Sequence, residues 1–287
     1  MSGNEASAEA LGSGDLDGLL GVAREAAKLA AAELVARVGK VSVLRAKSSP
    51  TDPVTEADEA AEGAVRALLA KARPNDAIVG EEGGDTPGTT GLRWVVDPLD
   101  GTVNYLYGNP QWCVSVAVED SDGPLAGVVF DVLRDEEFSA VRGGQPMLNG
   151  KSFERVAVHQ IGAGDPLKGV LLATGFHYES EVRAEQATVL AALLPRVRDI
   201  RRGGSAALDL CWAANGRVDA YTELGVREWD VAAGGLVCLS AGLDVLLLPA
   251  KGIRPVGIIA AETAVATALA SEWGAAPGER WPEARIP

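Results

Sequence analysis

At 287 residues the chain is long enough for one large or two modest domains with ample core. A hydrophobic share of 47% and a charged share of 23% are ordinary for a globular protein, and no apolar run reaches the roughly 18 residues that span a bilayer. The formal charge of −14 argues against nucleic acid as the main ligand, yet carboxylates that gather divalent cations still present a positive face to a small phosphate ester.

Residues 1–14, rich in Ser, Gly, Ala and acid and without Lys or Arg, read as a disordered leader and not a secretory signal. Cytoplasmic location is therefore the default. Residues 15–37 carry helical periodicity and end before Gly39. A polar loop with Pro50 and Pro53 covers 45–55, and a helix over 55–72 opens on a capping-box-like pair, Thr55 and Asp58. A short strand at 77–80 runs into Glu81-Glu82-Gly83-Gly84, and 85–91 reads as flexible. The chain then reaches its organising stretch, 93–105. Trp94-Val95-Val96 is a buried-strand run that delivers Asp97 and Asp100 into a segment Pro98 prevents from continuing as a ladder. Gly101 lets the backbone turn, and Thr102 brings a hydroxyl beside freshly exposed N–H groups. Two hard oxygen ligands beside an anion cradle suggest a divalent cation holding a phosphate. The plainer alternative is a capped strand-to-helix turn.

Beyond it, 112–118, 125–132 and 138–142 read as strands of an antiparallel sheet, and Asn149-Gly150-Lys151 as a turn at a domain seam. From there strands at 169–174, 199–201, 218–222, 243–248 and 257–260 interleave with helices at 181–194, 205–214, 230–241 and from about 262. The expected organisation is an α+β half over 15–150 and an α/β half over 151–287. The three cysteines, Cys113, Cys211 and Cys238, are widely spaced in apolar sequence and look like buried thiols.

Carboxylates recur at element ends: Asp52 with Asp58, Glu81 with Glu82, Asp97 with Asp100, and Asp230 after Trp229. Singly, each has a plain explanation: Asp58 as a first-turn residue, Glu81 as a solvated acid, Asp230 as an N-cap. Their placement at junctions with few basic neighbours is what joins them.

Asp97-Pro-Leu-Asp100-Gly101-Thr102-x-Asn104-Tyr105 and Trp229-Asp230-Val-Ala-Ala-Gly-Gly resemble the two motifs of the inositol monophosphatase family, and most closely its actinobacterial inositol-1-monophosphatases. The resemblance extends to Lys47-Ser-Ser-Pro-x-Asp52-x-Val-Thr55-x-x-Asp58, Gly80-Glu81-Glu82, Gly204-Ser205-Ala206-Ala207 and Tyr221-x-Glu223-x-Gly225, in family order from about 15 to 270. It implies a Mg²⁺-dependent, lithium-sensitive phosphomonoesterase with a layered α-β-α-β-α sandwich of the sugar-phosphatase type, usually a homodimer, acting on a small phosphorylated polyol. By position, Glu81, Asp97 and the Leu99 carbonyl would hold one ion; Asp97, Asp100 and Asp230 a second; and Glu81 would help with a third. Thr102, paired with Asp58, would orient the attacking water, and the N–H groups of Gly101 and Thr102 would hold the phosphate. Asp100, Gly204, Ser205, Ala206 and Glu223 would line the sugar side, and Lys47 would stabilise phosphate or Glu81. Ser240-Ala-Gly242-Leu243 departs from the family pattern, and Arg227 and Glu228 fill variable positions that bear on substrate preference.

Rival chemistries are weaker. Cys211 and Arg217 fit C-x₅-R, but in helical spacing with no phosphate loop, and His159 and His177 lack a phosphatase context. Within the family, histidinol phosphate, adenosine 3′,5′-bisphosphate, NADP and fructose-1,6-bisphosphate are alternative substrates. A non-catalytic member with a regulatory role in RNA metabolism is the alternative of another class.

Overall fold

The structure, a computed structural model, describes residues 12–40, 43–46, 53–156, 164–275, 279–284 and 286. It is built around two sheets. The first half supplies α1 (Ser13–Arg37), β1 (Val43–Ala46), β2 (Pro53–Thr55), α2 (Glu56–Ala72), β3 (Ala77–Gly80), β4 (Gly84–Thr86), β5 (Arg93–Asp100), α3 (Thr102–Tyr107) and β6 (Cys113–Asp120). β7 (Gly123–Asp131), β8 (Glu136–Val141), β9 (Met147–Leu148) and β10 (Lys151–Ser152) follow. The second half adds β11 (Leu171–Thr174), α4 (Ser180–Leu193), β12 (Asp199–Arg201), α5 (Ala206–Asn215), β13 (Ala220–Leu224), α6 (Glu228–Ser240), β14 (Asp244–Leu248), β15 (Gly257–Ala261) and α7 (Thr263–Glu272).

The first sheet has eight strands in the order β10-β9-β8-β7-β6-β5-β3-β4, and the second five, β12-β11-β13-β15-β14. Only β3 and β5 pair in parallel in the first sheet; in the second, β11 runs parallel to β12 and β13 while β15 is antiparallel to its neighbours. β5 and β6 are buried almost end to end because both of their faces are covered. Trp94, Val96, Val114 and Val116 point outward to the buried stripe of α1 and α2, among them Leu20, Ala27, Leu34, Val65 and Leu69. Val95, Cys113 and Ala117 point inward to α5 and α6. The other face of the five-stranded sheet is covered by α4 and α7 through Val182, Leu190, Val265 and Leu269. The layers are therefore α1/α2, sheet, α5/α6, sheet, α4/α7: the sandwich expected from the sequence.

The helix signals in the sequence have their physical counterparts. Thr55 caps α2 by accepting from Ala57 N at 3.1 Å, and Asp58 returns the bond by accepting from Thr55 N at 2.9 Å. Gly216 ends α5 in the left-handed region, where a glycine carries no side-chain penalty. Two segments differ from expectation. Part of the 45–55 loop is strand: β1 and β2 pair antiparallel, with Val43 opposite Thr55. The start of the 85–91 segment is also paired, β4 lying against β3 with Asp85 opposite Val79. Each strand is three or four residues long, too short for alternation to show. No helix among the described residues is long and apolar enough to cross a membrane.

The central helix layer is close to the first sheet at Gly127 on β7. A Cβ there would lie 2.8 Å from the Cα of Ala233 in α6. We expect Gly127→Ala to destabilise the protein by about 1–3 kcal/mol, because the contact is backbone and cannot yield without moving α6. Denaturant melts of the two proteins, compared at their midpoints, check this.

Candidate metal and phosphate site

The site forms where β5 stops. β3 and β5 are parallel with Gly80 beside Val96, so the residues that follow each strand, Glu81 and Asp97, emerge together. Glu81 N donates to Val96 O at 3.3 Å. The β5–β6 ladder slips between Asp97 and Asp100, which is what Pro98 enforces by withholding a donor. Asp97 accepts from Leu99 N at 3.0 Å, closing the turn on itself. Asp100 then points across the layer boundary, accepting from Ser205 Oγ at 2.6 Å and Ala207 N at 2.7 Å at the start of α5.

Asp230 arrives from α6, but not as its N-cap. It is the third helical residue, and its carboxylate reaches back to accept from Arg227 N at 2.6 Å. That leaves its other oxygen toward the cavity. Ligand atoms of Asp97, Asp100 and Asp230 all lie within 4.8 Å of one another. Burial pushes the Asp97 carboxyl well above the usual carboxylate range, and repulsion from Glu81, Asp100 and Asp230 adds to it. Burial likewise raises Asp100 to about 6, against the pull of its Ser205 and Ala207 hydrogen bonds. Asp230 is also raised well above its ordinary value by burial, then by Asp100 and Glu81. Buried like charges at this separation need a partner. An all-oxygen donor set suits Mg²⁺, which takes carboxylate and carbonyl ligands. The residues present fit that ion.

Beside the acids, Gly101 adopts φ +96°, which a side chain would strain, and a Cβ would sit 2.7 Å from Gln111 O. The turn is held from behind by Asn104, whose Nδ2 donates to Gln111 O at 2.6 Å and Gly203 O at 3.0 Å. Thr102 donates to Asp58 Oδ1 at 3.1 Å, with the Leu99 carbonyl as its other acceptor at 3.2 Å. The distant Thr102–Asp58 pair expected from the sequence is therefore in contact.

These groups floor a cavity of about 560 Å³. Glu81, Asp97, Leu99, Asp100, Gly101, Thr102 and Asp230 line it on one side, and Gly204, Ala206 and Glu223 on another. Glu223 accepts from Tyr221 Oη at 2.9 Å, and burial raises its carboxyl to about 7. Ser205 is a correction: it does not line the cavity. Its hydroxyl is spent on Asp100 and on accepting from Leu208 N, and the residue is only 1% exposed. Lys47, Asp52 and His159 lie outside the described residues.

Sequence reasoning missed part of the wall and support. Phe176, His177 and Arg183 line the cavity after β11, and Arg202 before α5. The signal was available: β11 and β13 are parallel, and ligands gather beyond the carboxyl ends of parallel strands. Glu62 is buried in α2 and accepts from Glu82 N and Gly83 N, both at 2.8 Å, fixing the loop that carries Glu81. Cys211 is not a nucleophile. It is buried inside α5, and burial pushes its thiol well up.

The layered sandwich thus brings a crowded carboxylate floor and a glycine-threonine turn into one cavity. A model of the inositol monophosphatase family matches residues 15–275. The chain belongs to that family. It is 44% identical over 232 residues to the inositol-1-monophosphatase SuhB of Mycobacterium tuberculosis, covering 79% of each chain. It is 41% identical over 255 residues to the Nus factor SuhB of Xylella fastidiosa, covering 85% of this chain and 90% of that one. Among solved structures, the extragenic suppressor protein suhB of Bartonella henselae superposes with a TM-score of 0.79 at 32% identity, covering 89% of this chain and 98% of the other.

The raised carboxyls give the site a pH signature. A carboxyl raised by folding favours the folded state where it is protonated, and that advantage is lost as pH rises through its folded value. Asp100, raised from 3.8 to about 6, and Glu223, raised from 4.5 to about 7, place the loss between roughly pH 4 and 7. Melting temperatures of the chelator-treated protein should therefore fall across that window. Millimolar Mg²⁺ should abolish most of the fall. A metal-free curve that is flat, or that rises with pH, contradicts the electrostatic account.

Proposed function

We propose that the chain is a Mg²⁺-dependent phosphomonoesterase that hydrolyses inositol monophosphate to inositol and phosphate. The observation that supports it best is the convergence of Asp97, Asp100 and Asp230 beside the Gly101–Thr102 turn, in one cavity with Glu223. Glu81, Asp97 and the Leu99 carbonyl would hold one ion, and Asp97, Asp100 and Asp230 a second. Bound Mg²⁺ would supply Lewis acidity at the phosphoryl and leaving oxygens and a lowered pKa for water.

The chain's own groups do the rest. The N–H groups of Gly101 and Thr102 bind phosphate oxygens at the turn. Thr102 Oγ1 orients the attacking water and passes its proton toward Asp58 Oδ1, with which it already shares a hydrogen bond of 3.1 Å. Glu62 and Asn104 hold the two loops in register, through Gly83 N and the Gly203 carbonyl. Across the cavity Glu223 accepts hydrogen bonds from ring hydroxyls of the polyol, aided by the Tyr221 hydroxyl that fixes its orientation. The other phosphate esters weighed from the sequence would use the same carboxylates and differ at this wall.

A second reading, regulation without turnover, is favoured by one observation, the Nus factor name of the 41%-identical relative. The full carboxylate set supports the catalytic reading instead.

Phosphate release from inositol 1-phosphate, histidinol phosphate and adenosine 3′,5′-bisphosphate tests both. We expect inositol 1-phosphate to lead in kcat/KM, and chelation to abolish turnover. Asp97→Asn should lower kcat by at least about a thousandfold, as expected for losing a metal-bridging carboxylate. The same substitution should raise the melting temperature of the metal-free protein above pH 7, because it removes one of the repelling charges. Thr102→Ala should lower kcat about a hundredfold with little change in KM, the loss of a proton-transfer partner. Turnover that survives both chelator and Asp97→Asn would overturn the reading.

A further inference from the structure

The turn between β11 and α4 fits against the end of β13 more closely than a passive connection needs to. Gly175 lies directly against the carboxylate of Glu223: a Cβ there would come within 1.9 Å of Glu223 Oε2 and 2.1 Å of its Cδ and Oε1. His177 lies against Gly225 in the same way, where a Cβ would meet His177 Cδ2 at 2.1 Å and Nε2 at 2.9 Å. The two segments interlock through a pair of absent side chains. The backbone of 175–177 therefore limits where the Glu223 carboxylate can sit, and Glu223, Gly225 and His177 all line the same cavity.

One buried amide holds this turn. Gln186 of α4 donates from Nε2 to Gly175 O at 3.3 Å and accepts from His177 N at 2.9 Å, so it grips the chain on both sides of Phe176. The imidazole is fixed as well. Its Nδ1 accepts from Glu179 N at 3.0 Å, which assigns the ring hydrogen to Nε2, on the edge that packs against Gly225. Satisfying the approach to α4 accounts for Nδ1. It does not account for the other edge of a half-buried ring at the cavity wall.

A polyol offers a row of hydroxyls, each able to donate and to accept. Glu223 supplies this wall with an acceptor, and the Nε2–H of His177, packed two positions further along β13's exit, supplies a donor. An ester whose leaving group has no hydroxyls would desolvate both groups and satisfy neither, which is the strongest way a site rejects a near substrate. We propose that His177 is a specificity-determining residue for the alcohol half of the ester, its Nε2–H donating to a polyol hydroxyl next to one that Glu223 reads, and that Gln186 is the positioning residue for both. This rests on the phosphomonoesterase reading and deepens it. Neither residue enters the proton transfer, which stays with Thr102 and Asp58.

The test compares inositol 1-phosphate with phenyl phosphate, whose leaving group carries no further hydroxyl, both with Mg²⁺. The readout is the ratio of kcat/KM, inositol ester over phenyl ester, for the native protein and for His177→Phe, His177→Gln and Gln186→Leu. Phe keeps a ring without the N–H, and Gln restores a donor near the place of Nε2. We expect His177→Phe to lower the ratio about threefold to tenfold through KM for the inositol ester, the cost of one neutral hydrogen bond. His177→Gln should recover most of that loss, and Gln186→Leu should lower the ratio in the same direction. A merely structural disturbance would slow both esters together and leave the ratio alone. A ratio unchanged in His177→Phe, or lowered as far by Gln as by Phe, overturns the proposal while phosphatase activity stands; the His177 pair decides this even where Gln186→Leu fails to fold. If the native protein turns over neither ester, the phosphomonoesterase reading fails, and calorimetric titration with inositol 1-phosphate decides the wall by itself. Binding that is weakened by His177→Phe and restored by His177→Gln would then uphold it, and equal or absent binding in native and Phe proteins would refute it.

Discussion

Repulsion among buried carboxylates is the constraint on which the rest of the structure depends. Left to themselves, Glu81, Asp97, Asp100 and Asp230 would move apart or take up protons, and burial raises the proton affinity of the three aspartates. The three aspartates stay together because each is tied to backbone or to a fixed hydroxyl by bonds that cannot follow the repulsion. Leu99 N holds Asp97, Ser205 and Ala207 hold Asp100, and Arg227 N holds Asp230. The fold thus stores an unfavourable cluster whose natural relief is a divalent cation. This is the usual tension between stability and function at a working site.

The layered architecture is what lets those ties meet. β5 carries two of the acids at its carboxyl end, inside the first sheet, while α5 and α6, packed between the sheets, bring the bonds and the acid that complete the cluster. The central core is shared: Val95, Cys113 and Phe138 of the first sheet cluster with Tyr221, Val245 and Ile258 of the second. A break between the halves at the Asn149–Lys151 hairpin would have to cut through that core. The site consequently sits where the layers join, with its carboxylate wall drawn largely from one half and the wall carrying Glu223 from the other.

Much of this was legible in the chain. Trp94-Val95-Val96 followed by Asp-Pro-x-Asp-Gly-Thr specified a buried strand, a break and a turn, because apolar runs, proline and glycine act locally. Thr55 and Asp58 announced a capped helix for the same reason. The short strands β1, β2 and β4 were not legible, since three or four residues carry no period. Ser205 was expected on the substrate wall but points to Asp100, and Glu62 was overlooked although it anchors the loop of Glu81. Both errors concern the direction of a side chain, which is set by what stands across from it in space.

The sequence by itself determined the element types, the apolar faces, and an ordered series of motifs that resembles one family, because propensity, periodicity and capping depend on residues a few positions apart. Only the tertiary structure decided which acids converge and that Thr102 reaches Asp58 across 44 positions. Those facts depend on strand register and layer packing. No local stretch of sequence encodes them, because each is a distance between segments that only the folded core brings together.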